Sequence, residues 1–380
     1  MRIAQICPFY APHAGGVESH VGRLSRQLVR LGHEVTVVTS RFDPRLPLRE
    51  TVDGVAIRRV PVRGVWLNTP IDPKVASEVK ELRADVAHLH YPPPLTPYFA
   101  ARGLRGRPMP LVLTYHCDLY LPGPAGRLLT GIVEGLLLPS VLRRADRIIV
   151  HTQSYGATSS MLRGRAIDVI PSLVDVDRFQ PTGDAAARRE VLGLTGRRVL
   201  VGMGRVVPHK GFDTALRMLP LLPEDVHLVL IGSGPALPRL VGLARRLGVA
   251  HRVRFLSDVR DEEVPSYLAL GDVFVYPSQN RLEGFGLAIV EAMAAGLPVV
   301  IADMPGVREV IEANREGLLA EPMIPQDFAR KVRTLLDDPS RARAMGRVGR
   351  QRVAARFSVP TVTAQIESVY RQLAEAGPRP

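Results

Sequence analysis

The sequence predicts an α/β protein made of two doubly wound parallel-sheet domains that face one cleft. Three observations predict it. The chain has 380 residues, beyond the roughly 250–300 at which one hydrophobic core stops growing. Short β-branched apolar runs alternate with amphipathic segments, the rhythm of βαβ units and hence of parallel sheets. That rhythm pauses once, along Ile170-Pro-Ser-Leu-Val-Asp-Val-Asp-Arg-Phe-Gln-Pro181, and then restarts.

In the first half the runs are Arg2–Cys7, Val35–Thr39, Asp85–His90, Leu111–Tyr115, Arg147–Thr152 and Asp168–Ile170. The first helix follows from one stripe, Val17, Val21, Leu24, Leu28 and Leu31, closed by Gly32-His33 before the next strand. After the pause come Arg198–Met203, Val226–Ile231, Arg252–Leu256, Val273–Tyr276 and Pro298–Ala302. A last helix, with Val362, Ile366, Val369, Tyr370 and Leu373 on one stripe, follows Pro360. These signals predict domains over 1–172 and 173–359, with a C-terminal helix over 360–376. Open sheets bind ligands at their strand carboxyl ends, so two of them place a cleft between those ends.

Composition narrows the class. With 46% hydrophobic and 23% charged residues, and glycine and proline spread along the chain, disordered and fibrous classes are excluded. Cys7 and Cys117 form no disulfide framework or zinc spacing, which points to a reducing cytoplasmic setting. The N-terminus passes at once into a Pro/Gly loop and reads as neither signal nor span. The longest apolar stretch, Gly131 to Leu142, is broken by Glu134 and Pro139 and reads as too short for about 30 Å of hydrocarbon. The formal charge is +13, of which residues 1–180 carry +8, so an anionic partner is expected. No basic–aromatic interleaving, zinc finger or RNA-binding signature occurs, which points away from nucleic acid. A phosphorylated substrate and an anionic membrane surface remain.

The strongest chemical signal is Glu283-Gly284-Phe285-Gly286-Leu287, a glycine turn that opens a helix carrying Glu291. Free N–H groups at that helix start suit a phosphate, and a carboxylate on either side suits hydroxyls. Sugar, diphosphate and ribose have this pattern. A second signal is Gly204-Arg205-Val-Val-Pro-His-Lys210-Gly211 at a strand end. Lysine is rare in this chain, with only Lys74, Lys80, Lys210 and Lys331 among 50 basic residues. A lysine point charge here suits a leaving diphosphate. In the first domain Gly15-Gly16 lets the backbone approach a ligand, and His116 ends a strand at the cleft. Asp175 and Asp177 spell D-x-D but lie in the linker, so no metal site is expected. Gly232-Ser-Gly234 lacks the lysine of a P-loop. Cys117 and His116 point apart as neighbours on a strand, which argues against a nucleophile pair.

Taken together, Gly15-Gly16, His116-Cys-Asp118, Ile170-Pro-Ser-Leu-Val-Asp175, Gly204-Arg205 to Lys210-Gly211 and Glu283-Gly-Phe-Gly to Glu291 resemble the family-4 retaining glycosyltransferases. The resemblance covers nearly the whole chain. It implies the GT-B fold, two Rossmann-like domains, with an acceptor-side first domain, a nucleotide-sugar-binding second domain and a final helix that crosses back to the first. It implies that Arg205 and Lys210 hold the donor diphosphate, that Gly16 approaches it, and that Gly284–Leu287 meets sugar and phosphate. Glu283 would hold sugar hydroxyls, Glu291 the ribose, and His116 would lie beside the transferred sugar. Ser172-Leu173 stands where the family often has Asn-Gly.

The reaction implied is transfer of a hexose, of mannose or glucose type, from a nucleoside-diphosphate sugar with retained configuration. Neither a cofactor nor a metal is expected; Arg205 and Lys210 would meet the charge. The acceptor is expected to be a glycan or a lipid-linked hydroxyl. The apolar and basic run from Tyr120 to Arg144 suits either the inner face of an anionic membrane or a buried crossover helix ending before the strand Arg147–Val150. A nucleotide-sugar hydrolase or epimerase of similar fold is the alternative.

Overall fold

The computed structural model describes residues 1–13, 15–66, 69–119, 123–180 and 184–376, with backbone alone at 66 and 124. It divides into two units: Met1–Leu173 with the chain from Val359 on, and Val174–Ser358.

The first unit holds an eight-stranded sheet in the order Asp168–Val169, Arg147–Val150, Leu111–Tyr115, Val86–Tyr91, Arg2–Ile6, Glu34–Arg41, Val55–Pro61, Arg49–Val52. Every pairing is parallel except the last, an edge hairpin. The sequence rhythm passed over that hairpin, although Asp53-Gly54, both at positive φ, carries its turn. The helix Gly16–Arg30 buries Val21, Leu24 and Leu28. It stops one residue short of the expected stripe: Leu31 is the C-terminal cap and is 47% exposed. The final helix, Val359–Ala376, drives Val362, Ile366, Val369 and Tyr370 into the same core as Leu24 and Val37. Transfer of such side chains from water, at about 1.5–3 kcal/mol each, ties this helix to the first unit.

The second unit is an all-parallel six-stranded sheet in the order Val253–Leu256, Val226–Ile231, Arg198–Met203, Val273–Tyr276, Val299–Ala302, Gly317–Ala320. Gly317–Ala320 was not read from the sequence, since Gly-Leu-Leu-Ala carries no β-branched or aromatic residue. The strand order reverses beside Arg198–Met203: its successor Val226–Ile231 lies on one side and Val273–Tyr276 on the other. That reversal leaves a crevice at the carboxyl ends of Arg198–Met203 and Val273–Tyr276, the place where such sheets bind ligands.

One helical stretch departs from the sequence reading. Gly123–Ile132, a wide turn at Val133–Leu137 and Leu138–Arg144 run on without a break. Pro139 lacks the N–H that a regular turn would use, and the wide turn precedes it. The span Ala125–Arg144 has 20 residues and contains an 18-residue window of mean hydropathy 1.4, so by length and composition alone it suffices to cross a membrane, which Gly131–Leu142 taken by itself does not. Its second half packs inward through Leu138, Val141 and Leu142. On the opposite stripe Leu128 and Leu136 are each 68% exposed, with Ile132 between them.

Candidate active site

The second unit builds its site from three loops at the crevice. The strand Arg198–Met203 ends at Gly204, whose φ of +141° an L side chain rarely adopts. A Cβ there would stand 3.8 Å from the Lys210 Nζ, an ordinary contact, so the backbone conformation rather than space calls for glycine. Val206, 1% exposed, pins the loop, and its N–H donates to Ser233 O at 2.7 Å. Gly232 and Gly234, set aside above as no P-loop, allow this contact: a Cβ on either would lie 2.2–2.4 Å from the carbonyls of Gly204 and Val206. The turn Pro208–Lys210 then hands over to the helix Phe212–Met218 through Gly211.

These loops bring Lys210 and Glu283 into direct contact. The Lys210 ammonium donates to Glu283 Oε2 and to the Tyr276 hydroxyl, and it lies 5.0 Å from the centre of the Tyr276 ring. The side chains of Lys210 and Glu283 are only 15% and 12% exposed. Burial pushes the Glu283 carboxyl up, but the Lys210 charge and the bonds from Lys210 and Tyr276 outweigh it and hold the group below its usual range. Burial, then the Glu283 charge, pushes the Tyr276 phenol far upward, so it stays protonated. His209, whose carbonyl accepts from Gln279 N–H at 2.9 Å, is lowered to about 4 by burial and stays neutral. Sequence reasoning kept Lys210 for phosphate and Glu283 for sugar. The structure makes them one pair, with Tyr276 as a third member that the motifs did not contain. An ammonium has three N–H groups; two serve this pair and one is left for a ligand oxygen.

Arg205 stands exposed and, among the described residues, its guanidinium has no ion-pair partner. The turn after Glu283 keeps Gly284 and Gly286 buried, and Gly286, at φ +81°, caps the helix Leu287–Ala294. Phe285 lies 5% exposed with its ring 5.6 Å from that of Phe357, so its contribution to a donor site is backbone rather than side chain. Leu287 opens the helix and Glu291, half-buried, stands one turn further on. Gly306 was also missed: a Cβ on it would sit 2.8–2.9 Å from the carbonyls of Glu283 and Gly284, so only glycine lets that turn close.

In the first unit Gly15 caps the helix Gly16–Arg30. The Glu18 carboxylate lies 2.2 Å from where a Gly15 Cβ would be, while Gly16 faces open space. Of this pair, Gly16 is the one a ligand can approach. His116 follows the strand Leu111–Tyr115 and is half-buried. Both its ring nitrogens are engaged, Nε2 with His90 Nδ1 at 3.1 Å and Nδ1 with His151 Nε2 at 2.9 Å. Asp118 does not join it: its carboxylate accepts from Tyr115 OH at 2.8 Å and Ser159 Oγ at 2.9 Å. Among the described residues no group of three or more His, Cys, Asp or Glu is placed to hold a metal ion. Asp175 is instead engaged with the backbone of Arg178.

The cationic loop and the acidic glycine turn thus meet at one sheet crevice, where open α/β sheets bind ligands. Residues 14–178 match the model of Glycosyltransferase Family 4 and residues 184–352 that of Glycosyl transferases group 1. The GDP-mannose-dependent alpha-(1-6)-phosphatidylinositol monomannoside mannosyltransferase of Mycolicibacterium smegmatis is 32% identical over 364 residues, 90% of this chain and 91% of that protein. The phosphatidyl-myo-inositol mannosyltransferase of Mycobacterium tuberculosis is 32% identical over 392 residues, 99% and 98% of the two chains. Among solved structures, sucrose-phosphate synthase from Thermosynechococcus elongatus superposes with a TM-score of 0.85 at 24% identity, covering 99% of both chains. The chain belongs to the family-4 glycosyltransferases, has the GT-B fold and is a hexosyltransferase.

Proposed function

We propose that the protein transfers a mannosyl residue from GDP-mannose to a hydroxyl of a phosphatidylinositol-type lipid, with retention at the anomeric carbon and without a metal ion. The observation that carries the reading is the Lys210–Glu283–Tyr276 cluster beside the exposed Arg205, at the crevice of the unit that matches the group 1 transferases. Arg205 and the third Lys210 N–H meet the diphosphate, and the helix start at Leu287 adds backbone donors. Charge developing on the leaving phosphate is offset there. Glu283 is held as an ion pair, which supports a role as hydroxyl acceptor rather than as the nucleophile of a two-step retaining path. Attack from the face the diphosphate leaves, with that phosphate taking the acceptor proton, fits this arrangement. The relatives' names supply the donor and the lipid class.

The test is a panel of nucleoside-diphosphate sugars with and without phosphatidylinositol, read by released nucleoside diphosphate and by the anomeric signal of the product. GDP-mannose with lipid is expected to give the fastest release and an α product. Equal release without lipid would instead mark a hydrolase.

The lipid surface is met by the helix Gly123–Ile132 and its continuation. Exposed Leu128, Ile132 and Leu136 with exposed Arg127 and Arg143 suit an anionic bilayer; Tyr120, Leu121 and Pro122, which the sequence reading included, lie outside the described residues. The double variant Leu128→Glu, Leu136→Glu is expected to lose at least about tenfold in affinity for phosphatidylinositol-containing vesicles, since each leucine contributes about 1.5–3 kcal/mol on burial. Flotation unchanged by the substitution would remove this helix from the membrane contact.

A further inference from the structure

The first unit threads a row of polar side chains through its apolar interior. His116 Nδ1 meets His151 Nε2, and His151 Nδ1 lies 3.1 Å from the carbonyl of Ile170. On its other side His116 Nε2 meets His90 Nδ1. His90 Nε2 lies 2.9 Å from the carboxamide of Gln5, whose far end is 2.9 Å from the Tyr370 hydroxyl. Tyr370 meets His88 Nδ1 at 2.6 Å, and His88 Nε2 meets Thr114 Oγ1 at 2.7 Å.

We propose that Gln5, His90 and His151 are positioning residues that hold His116 as its Nδ1–H tautomer, and that the Ile170 carbonyl sets the sense of the whole row. The proposal rests on the reading of His116 as a neighbour of the transferred sugar.

The argument is one of donor and acceptor parity. Burial lowers all of these imidazoles: His88 to about 3, His151 to about 4, and His90 and His116 well below their ordinary value. Each is neutral at pH 7 and has one N–H and one lone pair. A carbonyl oxygen only accepts, so His151 carries its proton on Nδ1. Its Nε2 is then a lone pair, and His116 donates to it from Nδ1. His116 Nε2 accepts in turn from His90 Nδ1–H, and His90 Nε2 needs a donor. The NH2 of Gln5 supplies it after a half-turn of the carboxamide, whose two ends are alike in shape. The amide oxygen then accepts from Tyr370 O–H, the phenol oxygen accepts from His88 Nδ1–H, and His88 Nε2 accepts from Thr114 O–H.

With the Gln5 carboxamide so turned, all seven bonds run one way. The opposite sense would aim a lone pair at the Ile170 oxygen. His116 spends its Nδ1–H on His151 and its Nε2 lone pair on His90, so both ring nitrogens are committed within the row and the row fixes the orientation of the ring beside the sugar.

The experiment uses the full chain labelled with 15N-histidine, in which long-range proton–nitrogen spectra report which ring nitrogen carries the proton. Nδ1–H is expected for His88, His90, His116 and His151; an Nε2–H form of His116 overturns the proposal. Gln5→Glu sets a carboxylate against His90 Nε2 and demands a proton there. It is expected to drive His116 to Nε2–H or to the imidazolium, and to lower kcat about tenfold or more with donor KM little changed. Tyr370→Phe removes two bonds, those to Gln5 and His88, but not the Ile170 end, so the His116 tautomer is expected to persist and kcat to stay within about threefold. Equal effects from the two variants would mean lost packing rather than reversed polarity and would overturn the proposal. Should Gln5→Glu fail to fold, the wild-type spectra decide alone. Absence of sugar transfer from any donor, with the spectra as expected, would sink the transferase role of His116 and leave the row standing.

Discussion

Lys210→Ala is expected to lower turnover of the nucleotide sugar by about 10²–10³, the usual effect of losing a charge-stabilising donor at a developing oxyanion. It is also expected to lower stability by about 3–5 kcal/mol, because Glu283 would be left buried without its partner. The two effects separate in a second variant. Lys210→Met with Glu283→Gln removes both charges, so most of the lost stability should return in urea unfolding while the rate stays low. The sign of the pH effect follows. The folded Glu283 carboxyl titrates below its unfolded value, so its contribution is present above about pH 4.3 and is lost as pH falls through the depressed folded value. Unchanged turnover in Lys210→Ala would take this lysine out of the site.

Gly211→Ala is expected to cost about 3 kcal/mol or more and to abolish transfer in whatever fraction folds. Its φ is +69°, and a Cβ would sit 1.8 Å from the Pro277 carbonyl oxygen. The left-handed backbone accounts for about 1–2 kcal/mol and the forced displacement for about 1–3. That displacement moves the residue before it, Lys210, away from Glu283 and Tyr276. Gly196→Ala is the control, since Gly196 has φ +70° with nothing within 4 Å of its Cβ; it should cost the backbone part alone. Equal thermal shifts in the two variants would show that contact with Pro277 plays no part.

The parallel sheets were legible because βαβ rhythm survives in sequence, as Arg198–Met203 and Val273–Tyr276 show. The loops were legible because Gly204, Gly211 and Gly286 hold conformations that other residues resist. The pairing of Lys210 with Glu283 was not, since 73 residues separate them and only the strand order brings their loops together. Tyr276 read as the last apolar residue of a strand, and its hydroxyl matters only once Lys210 is beside it. The histidines were hidden in the same way. His88 and His90 alternate on one face of Val86–Tyr91, and the interior they enter is polar only because Gln5 and Tyr370 arrive from distant parts of the chain.

The second unit begins at Val174 and ends at Ser358, and these two residues form a parallel bridge, with Val174 N–H donating to Phe357 O at 2.8 Å. The unit is thus a guest spliced into its host at a single seam, entering and leaving through one doorway. A cassette with both ends in one place can be exchanged whole for that of a relative without cutting any strand of the host.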